Sequence, residues 1–321
     1  MNHVVITETL DAGCAEWLAE RYNVVWCSHD APNFDEQLAT AEALVVRTYT
    51  IVDDALLDRA PKLRVVGRAG VGLDNIDLDA CKTRGVRVVY TPDANTQAVV
   101  EYVFGLMLDH FRPRAEPGEG NALTPSTSPE AFHALRKTQV GRQLSDLTLG
   151  IVGMGRIGQR MAALAHLLGM NVIGCDVLPE HDVRGSLPGV PFEFADHAEL
   201  YAKSDIITLH ADGRPRNHHM VNADALAHFR RDALFINAAR GMLVDHDALA
   251  DWLRRHPDAR AILDVHAPEP PPADYPLHGL SNAWLLPHLA SRTDTALHNM
   301  SEVVRDVSKV LEGDEPRYPA V

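Results

Sequence analysis

The chain has 321 residues, 46% of them hydrophobic and 23% charged, which predicts two globular domains, each able to bury a core. A formal net charge of −14 repels a phosphate backbone and argues against nucleic acid as a partner, and no apolar run is long enough to span a membrane. A small anionic substrate stays open, because a few local arginines reverse the field inside a cleft.

In chain order, an apolar run at Val4-Val5-Ile6 comes first, with no basic region or apolar signal core before it, so a cytoplasmic protein is expected. An amphipathic stretch to about Arg21 follows, then runs at Val24-Val25-Trp26, Ala43-Leu44-Val45-Val46, Leu63-Arg64-Val65-Val66 and Val86-Arg87-Val88-Val89. This βαβ rhythm predicts a parallel sheet covered on both faces. Residues 96–110 are apolar at helical spacing and predict a helix between the domains, whereas 113–130 are rich in proline, glycine and serine and predict an exposed loop.

A second series begins at 147–152 and continues at 171–176, 205–209, 233–237, 259–264 and 283–286. Six such strands are what a doubly wound dinucleotide-binding sheet requires. The four cysteines (Cys14, Cys27, Cys81 and Cys175) form no C-x-x-C pair and read as reduced thiols. The seventeen histidines show neither H-x-x-x-H nor H-E-x-x-H spacing, so no bound metal is expected.

Gly153, Gly155 and Gly158 follow the apolar strand 149–152 and open a helix, the context in which G-x-G-x-x-G binds a dinucleotide. The first glycine permits the turn, the second admits the pyrophosphate to the backbone, and the third lets helix and strand close up. Free amides at the helix start, around Arg156 and Ile157, then face the phosphates. Asp176 ends the next strand, where a carboxylate holds a ribose 2′-hydroxyl and repels the extra phosphate of NADP, so NAD is the expected cofactor.

Five ordered blocks extend the pattern: the turn 67–77 (Gly67-Arg68-Ala69-Gly70-Val71-Gly72 and onward), the glycine turn 153–158, Asn237-Ala238-Ala239-Arg240-Gly241, Asp264-Val265-His266-Ala267-Pro268-Glu269-Pro270, and Pro287-His288-Leu289-Ala290-Ser291. With these the chain resembles the D-isomer-specific 2-hydroxyacid dehydrogenases, in the branch of phosphoglycerate dehydrogenase and hydroxypyruvate reductase, over nearly its whole length. The resemblance implies an α/β fold in which a Rossmann domain (96–292) is inserted in a flavodoxin-like substrate domain (1–95 plus 293–321). Closure of a cleft between them and a homodimer formed through the cofactor domain are also implied.

The family's catalytic arginine, glutamate and histidine fall on Arg240, Glu269 and His288. Those residue types suit reduction of a 2-keto acid: an imidazolium protonates the carbonyl oxygen, a carboxylate orients the ring, and a guanidinium grips carboxylate and carbonyl. The resemblance also implies that Arg47, Thr48 and the amides of Gly70 and Val71 contact substrate, that Asp264 holds the nicotinamide amide, and that His210, Ala238 and Ser291 line the cofactor groove. Binding as a dinucleotide-sensing corepressor, or oxidation of phosphite or formate, shares the fold and stands as the alternative.

The chain departs from the family in three places. Residues 211–219 are basic where a Leu-Pro-Leu-Thr segment with an acidic residue is usual, His266 stands in place of an aromatic, and the tryptophan before Gly141-Arg142 is missing. With the sequence ending at Val321, the regulatory domain of some serine-pathway members is not expected, and phosphorylated, phosphonate and plain hydroxy acids are all compatible with these motifs.

Overall fold

The structure, a computed structural model, describes residues 1–112 and 127–321. Most of the stretch 113–130 lies outside them, and its last two residues, Pro129 and Glu130, open the helix Pro129–Thr138, capped by Ser128 Oγ accepting from Ala131 N–H at 3.2 Å. Contacts divide the chain into two units, Met1–Ala98 with Ser291–Val321, and Val99–Ala290.

Short valine- and alanine-rich runs build the first unit because residues buried on both faces need no alternation. Strands β1 (His3–Ile6), β2 (Asn23–Trp26), β3 (Ala43–Val46), β4 (Val65–Arg68) and β5 (Arg87–Tyr90) form one parallel sheet in the order β2-β1-β3-β4-β5. Helix Val303–Glu312 returns against it: a Cβ on Gly67, within β4, would lie 2.4 Å from Val307 Cγ2. Gly67 is therefore a strand residue that admits a helix, whereas the sequence places it in a turn with Gly70 and Gly72. The strand accordingly begins two residues later than its apolar run.

In the second unit β6 (Thr148–Val152), β7 (Asn171–Cys175), β8 (Glu193–Phe194), β9 (Ile206–Leu209), β10 (Leu234–Asn237), β11 (Arg260–Leu263) and β12 (Ala283–Leu285) are all parallel, in the order β12-β11-β10-β9-β6-β7-β8. The sheet thus has seven strands where the sequence predicts six, the added β8 being a two-residue edge paired with Ile173 and Gly174. The order reverses between β6, which carries β7 on one side, and β9 on the other. Such a switch point opens a crevice at the carboxyl ends of the strands. Gly153, Asp176, His210, Ala238 and Asp264 each directly follow a strand, and His288 comes three residues after β12, so the residues singled out gather at one edge of this unit. Among the described residues no helix is long and apolar enough to cross a membrane.

Candidate active site

The glycine turn is shaped by close contacts. Gly153 has φ +94°, and a Cβ there would meet the His210 carbonyl carbon at 2.7 Å; a Cβ on Gly158 would stand 2.0 Å from the carbonyl oxygen of Gly153. Above Gly155 a Cβ would meet nothing within 4 Å, and this residue caps the helix Arg156–Leu167. Tight packing beneath and open space at the second glycine, before a three-turn helix, fit a dinucleotide pyrophosphate. Arg156 is exposed and Ile157 half-buried at the start of that helix.

Asp176 also ties the turn together. Its Oδ2 accepts from Met154 N–H at 2.6 Å and its Oδ1 from Leu178 N–H at 2.8 Å, so the carboxylate is anchored between β6 and β7 while half-exposed. His210 donates its backbone N–H to Val152 C=O at 2.7 Å, extending the β6–β9 ladder, and its ring Nε2 lies 3.1 Å from Thr208 Oγ1. Burial pushes its pKa down to about 3, so the imidazole is neutral at physiological pH.

The half-buried His110 and the buried His246 are pushed down to about 4, again chiefly by desolvation. An unfolded histidine titrates near 6.5, so between pH 6.5 and 4 the unfolded chain binds more protons than the folded one. Stability is expected to be complete above that window and to fall as the pH drops through it, by at most about 1.4 kcal/mol per pH unit for each of these histidines. Urea melts at pH 7 and pH 5 measure this, and equal midpoints would contradict it.

The catalytic candidates stand on three successive strand ends. As the last residue of β10, the fully buried Asn237 accepts from Ala239 N–H with Oδ1 at 3.0 Å and donates from Nδ2 to Arg240 C=O at 2.9 Å, fixing the turn that presents Arg240. Arg240 is half-buried and donates Nη1–H to Ala239 C=O at 2.7 Å. The next residue, Gly241, lies so close to the loop after β11 that a Cβ would stand 2.0 Å from the His266 carbonyl carbon. Glu269 belongs to that loop: Oε1 accepts from His266 N–H at 2.8 Å and Oε2 faces His288 Nδ1 at 3.0 Å. The Arg240 turn, the Glu269 loop and His288 are thus one connected set of contacts.

Burial opposes ionisation of Glu269, but the hydrogen bonds from His288 and from the His266 backbone, with the nearby imidazole charge, outweigh it and hold the carboxyl below its ordinary value. It is a carboxylate at neutral pH. The His266 ring is spent on structure, with Nε2 at 2.9 Å from Leu286 C=O and Nδ1 at 3.3 Å from Tyr275 OH. A histidine here thus bonds the backbone just before Pro287 and His288, a link that a phenyl ring cannot make.

His288 has φ +57°, a left-handed backbone that costs a non-glycine residue roughly 1–2 kcal/mol. Asp264 holds it there. Its Oδ1 accepts from Leu289 N–H and its Oδ2 from Ala290 N–H, both at 2.8 Å, while Tyr102 OH donates to Oδ1 at 3.4 Å. Asp264 is wholly buried, and its hydrogen bonds tie it to the segment carrying His288. Burial raises its carboxyl pKa, and the two amides pull it back. Asn237, Tyr102 and Gly241 have no role in the sequence reading. Only Asn237 carries a signal there, as a polar residue closing a wholly apolar strand.

In the first unit Arg47, Thr48 and Ser291 line one cavity of about 450 Å³ with Glu8, Tyr49 and Arg292. Glu8 shapes its floor by accepting backbone N–H bonds from Arg47, Thr48, Tyr49 and Thr50. Ser291 therefore shares a wall with the substrate candidates of its own unit. The Gly70 N–H donates to Arg68 C=O at 2.8 Å, within the turn that leads to Val71.

Residues 121–290 match the family described as D-isomer specific 2-hydroxyacid dehydrogenase, NAD binding domain. Along 95% of the chain and 97% of the relative, the sequence is 34% identical to an (S)-sulfolactate dehydrogenase of Chromohalobacter salexigens. The chain belongs to the D-isomer specific 2-hydroxyacid dehydrogenases. This D-2-hydroxyacid dehydrogenase family member is also 37% identical over 280 residues to a D-3-phosphoglycerate dehydrogenase of Methanocaldococcus jannaschii, covering 87% of the chain and 51% of the relative. It thus spans about half the length of the phosphoglycerate dehydrogenases it matches. Among solved structures, the D-lactate dehydrogenase of Aquifex aeolicus complexed with NAD and lactic acid is similar, with a TM-score of 0.80 and 26% identity over 98% of this chain and 96% of that one. As in that family, the cofactor is a nicotinamide dinucleotide.

Proposed function

We propose that the protein is an NAD-dependent dehydrogenase that interconverts a small 2-keto acid and its D-2-hydroxy acid. The observation that carries this reading is the His288 Nδ1 to Glu269 Oε2 contact of 3.0 Å, joined through the His266 backbone to the Arg240 turn in a dinucleotide-binding unit. When bound, the dinucleotide supplies or accepts the hydride.

Everything else in the reaction belongs to the chain. A carboxylate at Glu269 keeps a proton on Nδ1 of His288 and leaves Nε2 as the atom that gives a proton to the carbonyl oxygen, or takes one from the hydroxyl in the reverse direction. The guanidinium of Arg240 pairs with the substrate carboxylate and polarises the carbonyl, supporting the negative charge that grows on oxygen before the proton arrives. Asp264 and Tyr102 act through the backbone: by holding 289–290 they keep His288 in its left-handed conformation. The neutral His210 adds no charge beneath the glycine turn.

Asp176 sets the choice between NAD and NADP in this reading, because a carboxylate fixed at the end of β7 repels a 2′-phosphate and no arginine follows in Val177-Leu178-Pro179-Glu180. Asp176→Ser is expected to lower the preference for NADH over NADPH at least about tenfold in kcat/KM. An unchanged ratio would remove Asp176 from cofactor selection. Oxidation of NADH across a panel of glyoxylate, pyruvate, hydroxypyruvate and their charged 3-substituted analogues tests the activity itself. Turnover of at least one 2-keto acid is expected, and inertness toward all of them would overturn the proposal.

A further inference from the structure

Four side chains outside the catalytic set converge in the first unit. Asp11, the N-cap of helix Ala12–Ala19, and Cys14 in its first turn meet His298, in the last turn of helix Asp294–Ser301, and Glu302, the residue that follows it. Asp11 Oδ1 lies 3.2 Å from His298 Nδ1, Cys14 Sγ lies 3.9 Å from the same nitrogen, and Cys14 Sγ lies 3.3 Å from Glu302 Oε1. Asp11 Oδ1, Cys14 Sγ and His298 Nδ1 all fall within 4.8 Å of one another.

The Asp11, Cys14 and His298 donors are close enough to share one ion, and Glu302 stands beside the thiol. With metal–ligand distances of about 2.0–2.3 Å, tetrahedral zinc places its sulfur, nitrogen and oxygen donors about 3.3–3.6 Å apart. The donors are also anchored. Asp11 is fixed by accepting Cys14 N–H at 3.1 Å and by donating its own N–H to Ser301 Oγ at 2.9 Å. Glu302 turns Oε2 to Arg305 Nε at 3.4 Å, which leaves Oε1 directed at the thiol. Cys14 is buried, whereas His298 is half-exposed and opens the cluster to solvent.

We propose that Asp11, Cys14 and His298, with Glu302 beside the thiol as the residue that completes the set, form a structural site for a divalent transition metal of the zinc class, clipping the first helix of the chain to its C-terminal segment. The mixed sulfur, nitrogen and oxygen set selects this class over magnesium or calcium, which take oxygen donors. Proton balance is straightforward. Without metal, the thiol proton bonds Glu302 and the Nδ1 proton of His298 bonds Asp11. On binding, the thiol releases its proton to solvent and the imidazole proton moves to Nε2, freeing the Sγ and Nδ1 lone pairs. Because 284 residues separate Cys14 from His298, no local motif of the kind sought in the sequence marks the site.

The test uses the full-length protein stripped with chelator and titrated with Co²⁺, and separately with Zn²⁺. One Co²⁺ per chain is expected, with a near-ultraviolet thiolate-to-cobalt charge-transfer band, and Zn²⁺ is expected to raise Tm by several degrees. Cys14→Ala should abolish the band, and the solvent-facing His298→Ala should weaken Co²⁺ binding more than about tenfold. Absence of the band at saturating Co²⁺, or the same band and affinity in both variants, would overturn the proposal.

Discussion

His288→Ala is expected to lower kcat by roughly 10²–10⁴-fold while NADH still binds with its normal affinity. The dinucleotide contacts attributed to Gly153, Gly155, Gly158 and Asp176 lie at the β6 and β7 ends and do not use the imidazole, so binding and turnover should separate cleanly. Removing the ring also leaves Glu269 Oε2 without its 3.0 Å partner, while Oε1 keeps the hydrogen bond from His266 N–H. Steady-state kinetics combined with NADH fluorescence titration read the two quantities independently. A variant with full turnover would displace His288 from the reaction. Loss of NADH binding in parallel would mean that the substitution had damaged the cofactor site.

Arg240→Ala is expected to lower kcat/KM for a 2-keto acid by about 10²–10³-fold, the usual effect of removing a charged donor from developing oxyanion charge. Arg240→Lys should recover little of it, because an ammonium cannot span a carboxylate and a carbonyl with a planar fork. The turn itself should survive either change, since Asn237 and Gly241 shape it through backbone contacts that do not involve the guanidinium. Unaltered Tm beside the kinetic loss would support that separation. A lysine variant of full activity would show that point charge alone suffices there.

How much of this was legible in the sequence follows from what each signal depends on. Buried parallel strands appear as unbroken apolar runs, so Val4-Val5-Ile6, 43–46 and 147–152 could be placed without an alignment. The edge strand Glu193–Phe194 could not, because two residues beside Pro191 present neither a run nor an alternation. The fourth strand slipped because Gly67 looks like punctuation. Its lack of a side chain serves instead to seat Val307, more than two hundred residues later.

The candidate site divides in the same way. Arg240, Glu269 and His288 are visible because each stands in a short block with its own residue pattern, and the glycine turn because strand, helix and acid surround it. What holds them is not visible. The occupied carboxylate of Asp264, the Tyr102 hydroxyl behind it and the backbone bond of His266 to Leu286 join segments far apart in the chain, and no linear spacing encodes them. Resemblance implies a cofactor contact for Asp264, whereas its burial and its bonds to Leu289 and Ala290 N–H, which support the conformation of His288, have no mark in the linear pattern.

The central claim is that a 2-keto acid is reduced by a hydride from the dinucleotide at its alpha carbon and by a proton from His288 at its oxygen. Turnover of a 2-keto acid with NADH carrying deuterium at both C4 positions of the nicotinamide, followed by NMR and chiral analysis of the product, tests it most directly. The account expects deuterium at C2 of a single D-configured hydroxy acid. Unlabelled, racemic or L-configured product would contradict it.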